Sequence, residues 1–124
     1  AGHTDGVLKV EVTGHAYIAE TTEKAKKEFY PFYSNYWNYV NKQRGMLNRI
    51  SENDFGQMTT PDSALFVGSP ELIIEKILTQ YELFGHKRVM LQLDIGGQPF
   101  EQVAKGIELL ATKVAPVIRK ETSK

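Results

Sequence analysis

The 124-residue sequence has no cysteine, which excludes disulfide staples, thiolate nucleophiles and zinc–thiolate sites together. A reducing cytoplasm is the compartment expected of such a chain. There is no surplus of either charge, because Lys plus Arg and Asp plus Glu each number 15. Nothing therefore draws the chain toward nucleic acid or an anionic membrane surface. No apolar run approaches the roughly 20 residues of a membrane helix, and no secretory signal pattern stands at the start. The histidines are scattered, with no carboxylate at ligand spacing, so no metal site is expected. An initial Met is also lacking. The chain opens Ala1-Gly2-His3-Thr4-Asp5-Gly6, a turn-forming start that leads us to expect a segment of a longer protein.

What is present is globular composition, 41% hydrophobic and 24% charged, enough for one domain with a real core. Residues from about 8 to 19 read as a strand. Leu8, Val10, Val12, Gly14, Ala16 and Ile18 share an apolar face, and Lys9, Glu11, Thr13, His15 and Tyr17 share a polar one. A helix over about 22–43 follows, capped by Thr21 or Thr22, with an apolar stripe through Ala25, Phe29, Phe32 or Tyr33, Tyr36 and Val40. Pro31 predicts a kink or break between Tyr30 and Phe32. The ring-rich stripe reads as core, although its many tyrosines also suit a ligand wall or a subunit interface. Beyond Gly45 a short helix is expected over Met46–Ile50 or from Ser51 onward, then a loop from Phe55 to Asp62.

The middle of the chain, Ala64-Leu65-Phe66-Val67-Gly68-Ser69-Pro70-Glu71-Leu72, is a strand-to-helix switch. An apolar strand over about 64–67 ends at a glycine that permits a sharp turn. Ser69 suits the helix cap and Pro70 the first helical position. The helix, about 70–84, closes at Gly85. A third strand over about 88–95 alternates Val89, Leu91, Leu93 and Ile95 with Met90, Gln92 and Asp94. After Gly96-Gly97-Gln98-Pro99 a last helix is expected over about 99–119, limited or bent by Pro116. His3 and His86 read as solvent-side turn residues. Strands alternating with helices predict a parallel sheet with right-handed crossovers. Three strands are too few to close a barrel, which takes about eight, and they leave two sheet edges bare.

Several segments together resemble the C-terminal portion of luciferase-like flavin-dependent monooxygenases. Thr13-Gly14-His15-Ala16-Tyr17-Ile18-Ala19-Glu20-Thr21 is similar to the family's S-H-G-F-V-A-E-T strand and helix start. Ala64 to Glu71 resembles its L-V-G-S/T-P-E element, and Phe84 to Gln92 its G-x-D-R-F-L-L-Q strand. Gly96-Gly97-Gln98-Pro99 and Ile107 to Pro116 look like its G-x-x-P turn and I-E-L-F-A-T-E-V-A-P closing helix. The matches run in order from about Gly2 to Glu121.

The resemblance implies an α/β fold, the last three βα units of a (β/α)₈ TIM barrel left incomplete in this chain. Residues 1–124 would then be the C-terminal fragment of a single barrel domain. The activity implied is a monooxygenase using reduced FMN and O₂ on a small organic substrate, without metal and not active as the isolated chain. A flavin reductase partner and a homo-oligomer are implied with it. Carried onto this sequence, His15 would be the catalytic residue, Gly68 and Ser69 would touch the cofactor, and Thr13, Tyr17 and Gln92 would line the substrate pocket, with Asp94 also facing inward. The family's main flavin-phosphate contacts belong to earlier βα loops, upstream of Ala1. Some relatives place an arginine two residues before the histidine; here it is Thr13, which argues against an anionic substrate. Two alternatives stand beside this reading: a deazaflavin-dependent oxidoreductase of the same fold, and a non-catalytic α/β module that completes its sheet by homo-oligomerisation. At residue level, His15 satisfied by a neighbour and Ser69 serving only as a cap stay open.

Overall fold

The computed structural model describes Gly2 and residues 9–123. Leu8, the expected start of the first strand, and His3 lie outside the described residues. Within them, β1 is Glu11–Ile18, β2 is Phe66–Gly68 and β3 is Arg88–Gln92. All pairing is parallel, and β1 is the central strand. Its first half pairs with β3, from Glu11 opposite Arg88 to His15 opposite Gln92. Its second half pairs with β2, from Ala16 opposite Phe66 to Ile18 opposite Gly68.

Helix α1 spans Thr22–Gln43 and begins where the Lys24 amide donates to Thr21 Oγ1 at 3.1 Å. It buries Ala25, Phe29 and Tyr33 at steps of four. The expected break at Pro31 does not occur, and the helix is continuous through it. Pro31 and Lys27, whose carbonyl loses its partner, are both exposed, so water can serve that carbonyl. The Phe29–Tyr33 ring pair, 5.0 Å between centroids, packs on both sides of the proline and holds the turns in line. α2 covers Glu52–Met58, taking in part of the expected loop. Ser51 and Asp54 close a reciprocal capping box around its first turn.

In a sheet ordered β2-β1-β3, the two crossovers run in opposite directions along the sheet. Right-handed connections then put successive helices on opposite faces. The core divides accordingly. Tyr17, Ala19 and Val67 pack with α1 and α2 residues Ala25, Phe29, Tyr33 and Phe55 on one side. Ala16, Ile18 and Phe66 pack with Ile73, Ile77, Leu109 and Val114 on the other. Consecutive units of a closed barrel would instead make β2 the middle strand and keep every helix outside. The departure has a physical basis. β1 is the only strand long enough to pair on both edges, and the aromatic stripe of α1 buries itself on the sheet face that a closed barrel would turn inward.

α3, Pro70–Phe84, starts at Ser69, whose hydroxyl accepts from the Leu72 amide at 3.4 Å. It ends at Gly85, left-handed at φ 58°. On this helix Lys76 is only 5% exposed. Its ammonium donates to the Thr60 carbonyl and the Ser63 hydroxyl, both at 3.3 Å, and to the Leu65 carbonyl. It also lies 5.4 Å from the Phe66 ring centroid. This lysine ties the loop before β2 to α3. Burial pulls its pKa down, with the Asp62 charge opposing.

β3 stops at Gln92 rather than running to Ile95, its last pair being with His15 of β1. The Gln98 amide takes over, donating to the Leu93 carbonyl at 3.1 Å and the Ile95 carbonyl at 2.9 Å. The last helix is not one piece. α4, Phe100–Leu109, passes through a π-helical turn at Leu110–Val114 into α5, Ala115–Thr122. Pro116 has no N–H to give the carbonyl four residues back, and the wider turn accommodates that defect.

Candidate active site

The alternation of β1 puts Thr13, His15 and Tyr17 on one face of the sheet, and the pairing with β3 adds Met90 beside Thr13 and Gln92 beside His15. Thr13, Met90 and Gln92 are exposed, while Tyr17 is buried. His15 sits at the boundary, half-buried under α1. Its Nδ1 lies 3.2 Å from the Tyr33 hydroxyl. Its ring meets Tyr33 and Tyr36 edge to face, at 5.8 and 5.5 Å between centroids. Its Nε2 has no hydrogen-bond partner among the described residues. Burial lowers the His15 pKa, which holds the imidazole neutral at pH 7. Burial also pushes the Tyr33 hydroxyl up.

This pair can relay a hydrogen bond. A neutral imidazole carries one N–H donor and one bare nitrogen, and the tyrosine hydroxyl fits either. Tyr33 thereby fixes the ring orientation and leaves Nε2 to serve whatever occupies the open part of the face. Tyr33 and Tyr36 read from sequence as packing rings. The available signal was the choice of tyrosine over phenylalanine on the inner stripe of α1.

Tyr17 is placed differently from its strand neighbour. Its ring stacks on Phe29 at 5.2 Å, and its hydroxyl donates to Glu28 Oε2 at 2.6 Å. The hydroxyl lies 3.1 Å from Gln102 Oε1, and a turned amide would donate back to it. Burial, then the hydrogen bond and charge of Glu28, push the phenol pKa far above 10. With its ring in the core and its hydroxyl engaged, Tyr17 joins α1 to α4 across the end of β1.

Gly68 and Ser69 lie at the end of β2, apart from the His15 group. The Ser69 amide donates to Thr22 Oγ1 at 3.1 Å, and its hydroxyl caps α3. A Cβ on Gly68 would fall 2.4 Å from Leu72 Cδ2 and 3.2 Å from Thr22 Oγ1, so a side chain there would have to displace the Leu72 tip and crowd Thr22. As folded, the Ser69 backbone N–H is already engaged by Thr22 and is not free to meet a phosphate. The open Thr13–His15–Met90–Gln92 face presents chemistry that a flat ring with a polar edge, such as a flavin, would use. It offers amide and imidazole groups for the ring's polar edge and thioether and tyrosine surface for its flat faces. Among the described residues, no group of three or more His, Asp or Glu could hold a metal ion. No helix among them is long and apolar enough to cross a membrane.

Solved structures resemble the fold over most of the chain. Monooxygenase RslO1 from Streptomyces bottropensis matches 86% of the chain with a TM-score of 0.64 and 20% identity. The oxygenating constituent of 3,6-diketocamphane monooxygenase from Pseudomonas putida, a type II Baeyer–Villiger enzyme in complex with FMN, matches 87% with a TM-score of 0.62 and 22% identity. Apo-MsnO8 matches 86% with a TM-score of 0.56 and 13% identity. The likeness is one of fold. The chain spans about a third of the length of these structures, 30%, 33% and 34% respectively for RslO1, the camphane enzyme and MsnO8. No family model and no curated protein matches the sequence.

Proposed function

We propose that this chain supplies one wall of the active site of a flavin-dependent monooxygenase, acting on a small organic substrate with reduced FMN and O₂ in the cytoplasm. In this reading it comes from the last three βα units of a luciferase-like barrel, with the strand order β2-β1-β3 in place of the barrel's sequential order. The observation that carries the reading is the match of about seven-eighths of the chain to two monooxygenase structures, one holding FMN. His15, on the open face of the central strand, is the residue proposed to act.

Reduced FMN, when bound, supplies the activation of O₂. The chain's own part is to shape the space around it. His15 Nε2 donates or accepts one hydrogen bond toward the reacting atoms, and Tyr33 holds the ring for that task. Gln92 and Thr13 offer polar contacts to substrate, while the rings of Tyr36 and Trp37 exclude water on the α1 side. The phosphate of FMN falls to loops outside this chain, since the Ser69 amide is already engaged. A flavin reductase would deliver the reduced cofactor. Barrels of the same class that take a deazaflavin are separated by the spectrum of the bound cofactor.

The test uses the longest natural protein that contains these residues, mixed with reduced FMN, O₂ and a panel of aldehydes and cyclic ketones. The expected outcome is oxygenated product, reduced about 10²-fold or more by His15→Ala with the fold unchanged. Absence of both flavin binding and product refutes the proposal. The second reading, a non-catalytic module that pairs its sheet edge with another copy, draws on Met90, Phe100 and Ile107. All three are exposed along the β3–α4 side, at 44%, 80% and 52%. Sedimentation of a folded monomer at micromolar concentration removes it.

A further inference from the structure

A second concavity lies at the other end of β3, near Arg88 rather than Gln92. Its volume is about 340 Å³, at the lower end of the roughly 300–1,000 Å³ usual for small-molecule sites. Ile77, Leu91, Leu110, Val114 and Ile118 give it an aliphatic wall. The π-helical turn forms part of that wall through Leu110 and Val114, and such turns recur at functional sites. The charged groups at its edge are of one sign: Lys87, Arg88 and Arg119 line it together with the polar Tyr81 and Thr122, and no carboxylate among the described residues does. Arg88 is engaged by Glu11 at 2.9 Å, which leaves Lys87 and Arg119 as exposed cations at the rim.

His86, read from sequence as a solvent-side turn residue, is 5% exposed and lines this cavity. Its ring stands edge-on to Tyr81, 5.8 Å between centroids. That aromatic contact draws the ring inward. Its Nε2 is buried with no hydrogen-bond partner among the described residues. Leaving such a group unpaired is unfavourable, so an occupant that accepts from this nitrogen relieves that penalty.

We propose that the cavity binds an alkanoate, a single carboxylate on an unbranched apolar chain. The carboxylate accepts from His86 Nε2–H and is flanked by Lys87 and Arg119, and the chain lies against Leu91, Val114 and Ile118. The lining selects this chemistry. His86 Nε2 is the one buried, unpartnered polar atom among the described lining residues, the Thr122 hydroxyl being committed to the Ile118 carbonyl, so the lining satisfies one headgroup, whereas a sugar or nucleotide would need several. The rim cations fix the sign of that headgroup. The site shares no residue with the His15 face, so the two stand or fall separately.

The experiment titrates the 124-residue chain with octanoate and follows isoleucine and valine methyl resonances by NMR. Octanol serves as the neutral headgroup and acetate as the headgroup without a chain. Saturable shifts are expected at Val114, Ile118 and Ile77 with octanoate, affinity about tenfold lower for octanol, and no shift with acetate at equal concentration. Lys87→Ala with Arg119→Ala, both exposed and safe for the fold, should weaken octanoate binding by about tenfold, and His86→Phe likewise. The proposal is overturned by any of three results: no saturable shift at these methyls, octanol binding as well as octanoate, or shifts that map to the Thr13–Gln92 face.

Discussion

Replacing Gly96 by alanine tests the placement of α1 more directly than any other single change. Gly96 and Gly97 both follow β3 with positive φ, 84° and 77°. A side chain at either position carries the left-handed cost of roughly 1–2 kcal/mol. Their surroundings differ. A Cβ on Gly97 meets nothing within 4 Å, whereas one on Gly96 would fall 2.1 Å from the Phe32 carbonyl oxygen and 2.5 Å from its carbon. That obstacle is helix backbone and cannot rotate away, so α1 and the turn must separate. Overpacking of this kind costs about 1–3 kcal/mol more. Gly97→Ala should therefore lose about 1–2 kcal/mol and Gly96→Ala about 2–5. With a urea slope of roughly 1–3 kcal/mol per molar, the two midpoints separate by on the order of 1 M. Equal midpoints would mean that α1 does not lie against this turn, and the roof over His15 would go with it.

Three further outcomes follow from buried groups. Lys76→Met leaves the Thr60 and Leu65 carbonyls without their donor and should destabilise by about 2–4 kcal/mol in chemical denaturation. Because the folded-state pKa of Lys76 lies below its ordinary 10.5, the unfolded chain binds the extra proton between the two values. Wild-type stability should then rise with pH toward 10.5 relative to the methionine variant, and parallel curves would contradict this. His15 behaves in the same sense around 6.5. Its lowered pKa makes the contribution full above 6.5 and lost as pH falls through the folded value, so His15→Phe should flatten the acid limb of a stability–pH profile. Ser69→Ala removes the cap of α3 and should lower stability by about 1 kcal/mol, read as a shift in thermal midpoint.

Local chemistry made much of this chain legible before any contact was known. Thr21 and Ser69 mark helix starts because a short side-chain oxygen can accept an orphan amide one turn on, and Gly85 marks an end because a left-handed residue there carries no Cβ. The alternation of β1 assigned Ala16 and Ile18 to one face and His15 and Tyr17 to the other, since the pleat has a period of two. The break expected at Pro31 rested on a local penalty that tertiary packing of Phe29 and Tyr33 outweighs. The single last helix failed for the opposite reason, a local defect at Pro116 that the chain absorbs as a π turn.

The candidate site divides in the same way. The family resemblance singled out His15 and the strand alternation set Thr13 and Tyr17 on its face, but a two-residue period cannot say what covers that face. Only the packing of α1 separates Tyr17, locked to Glu28, from His15, held by Tyr33 with one nitrogen free. Gln92 joins His15 through strand register, a contact between residues 77 positions apart that no local pattern encodes. His86 and Lys76 were hidden for the same reason, because burial of a polar side chain depends on what the rest of the chain brings to it. The sequence by itself determined the elements, their polarity and the alternation of β with α, all governed by interactions within a few residues. The tertiary structure decided that β1 is central, that α1 roofs the histidine, and that a cavity with an aliphatic wall opens near the start of β3. Those outcomes depend on burying surfaces that are far apart along the chain.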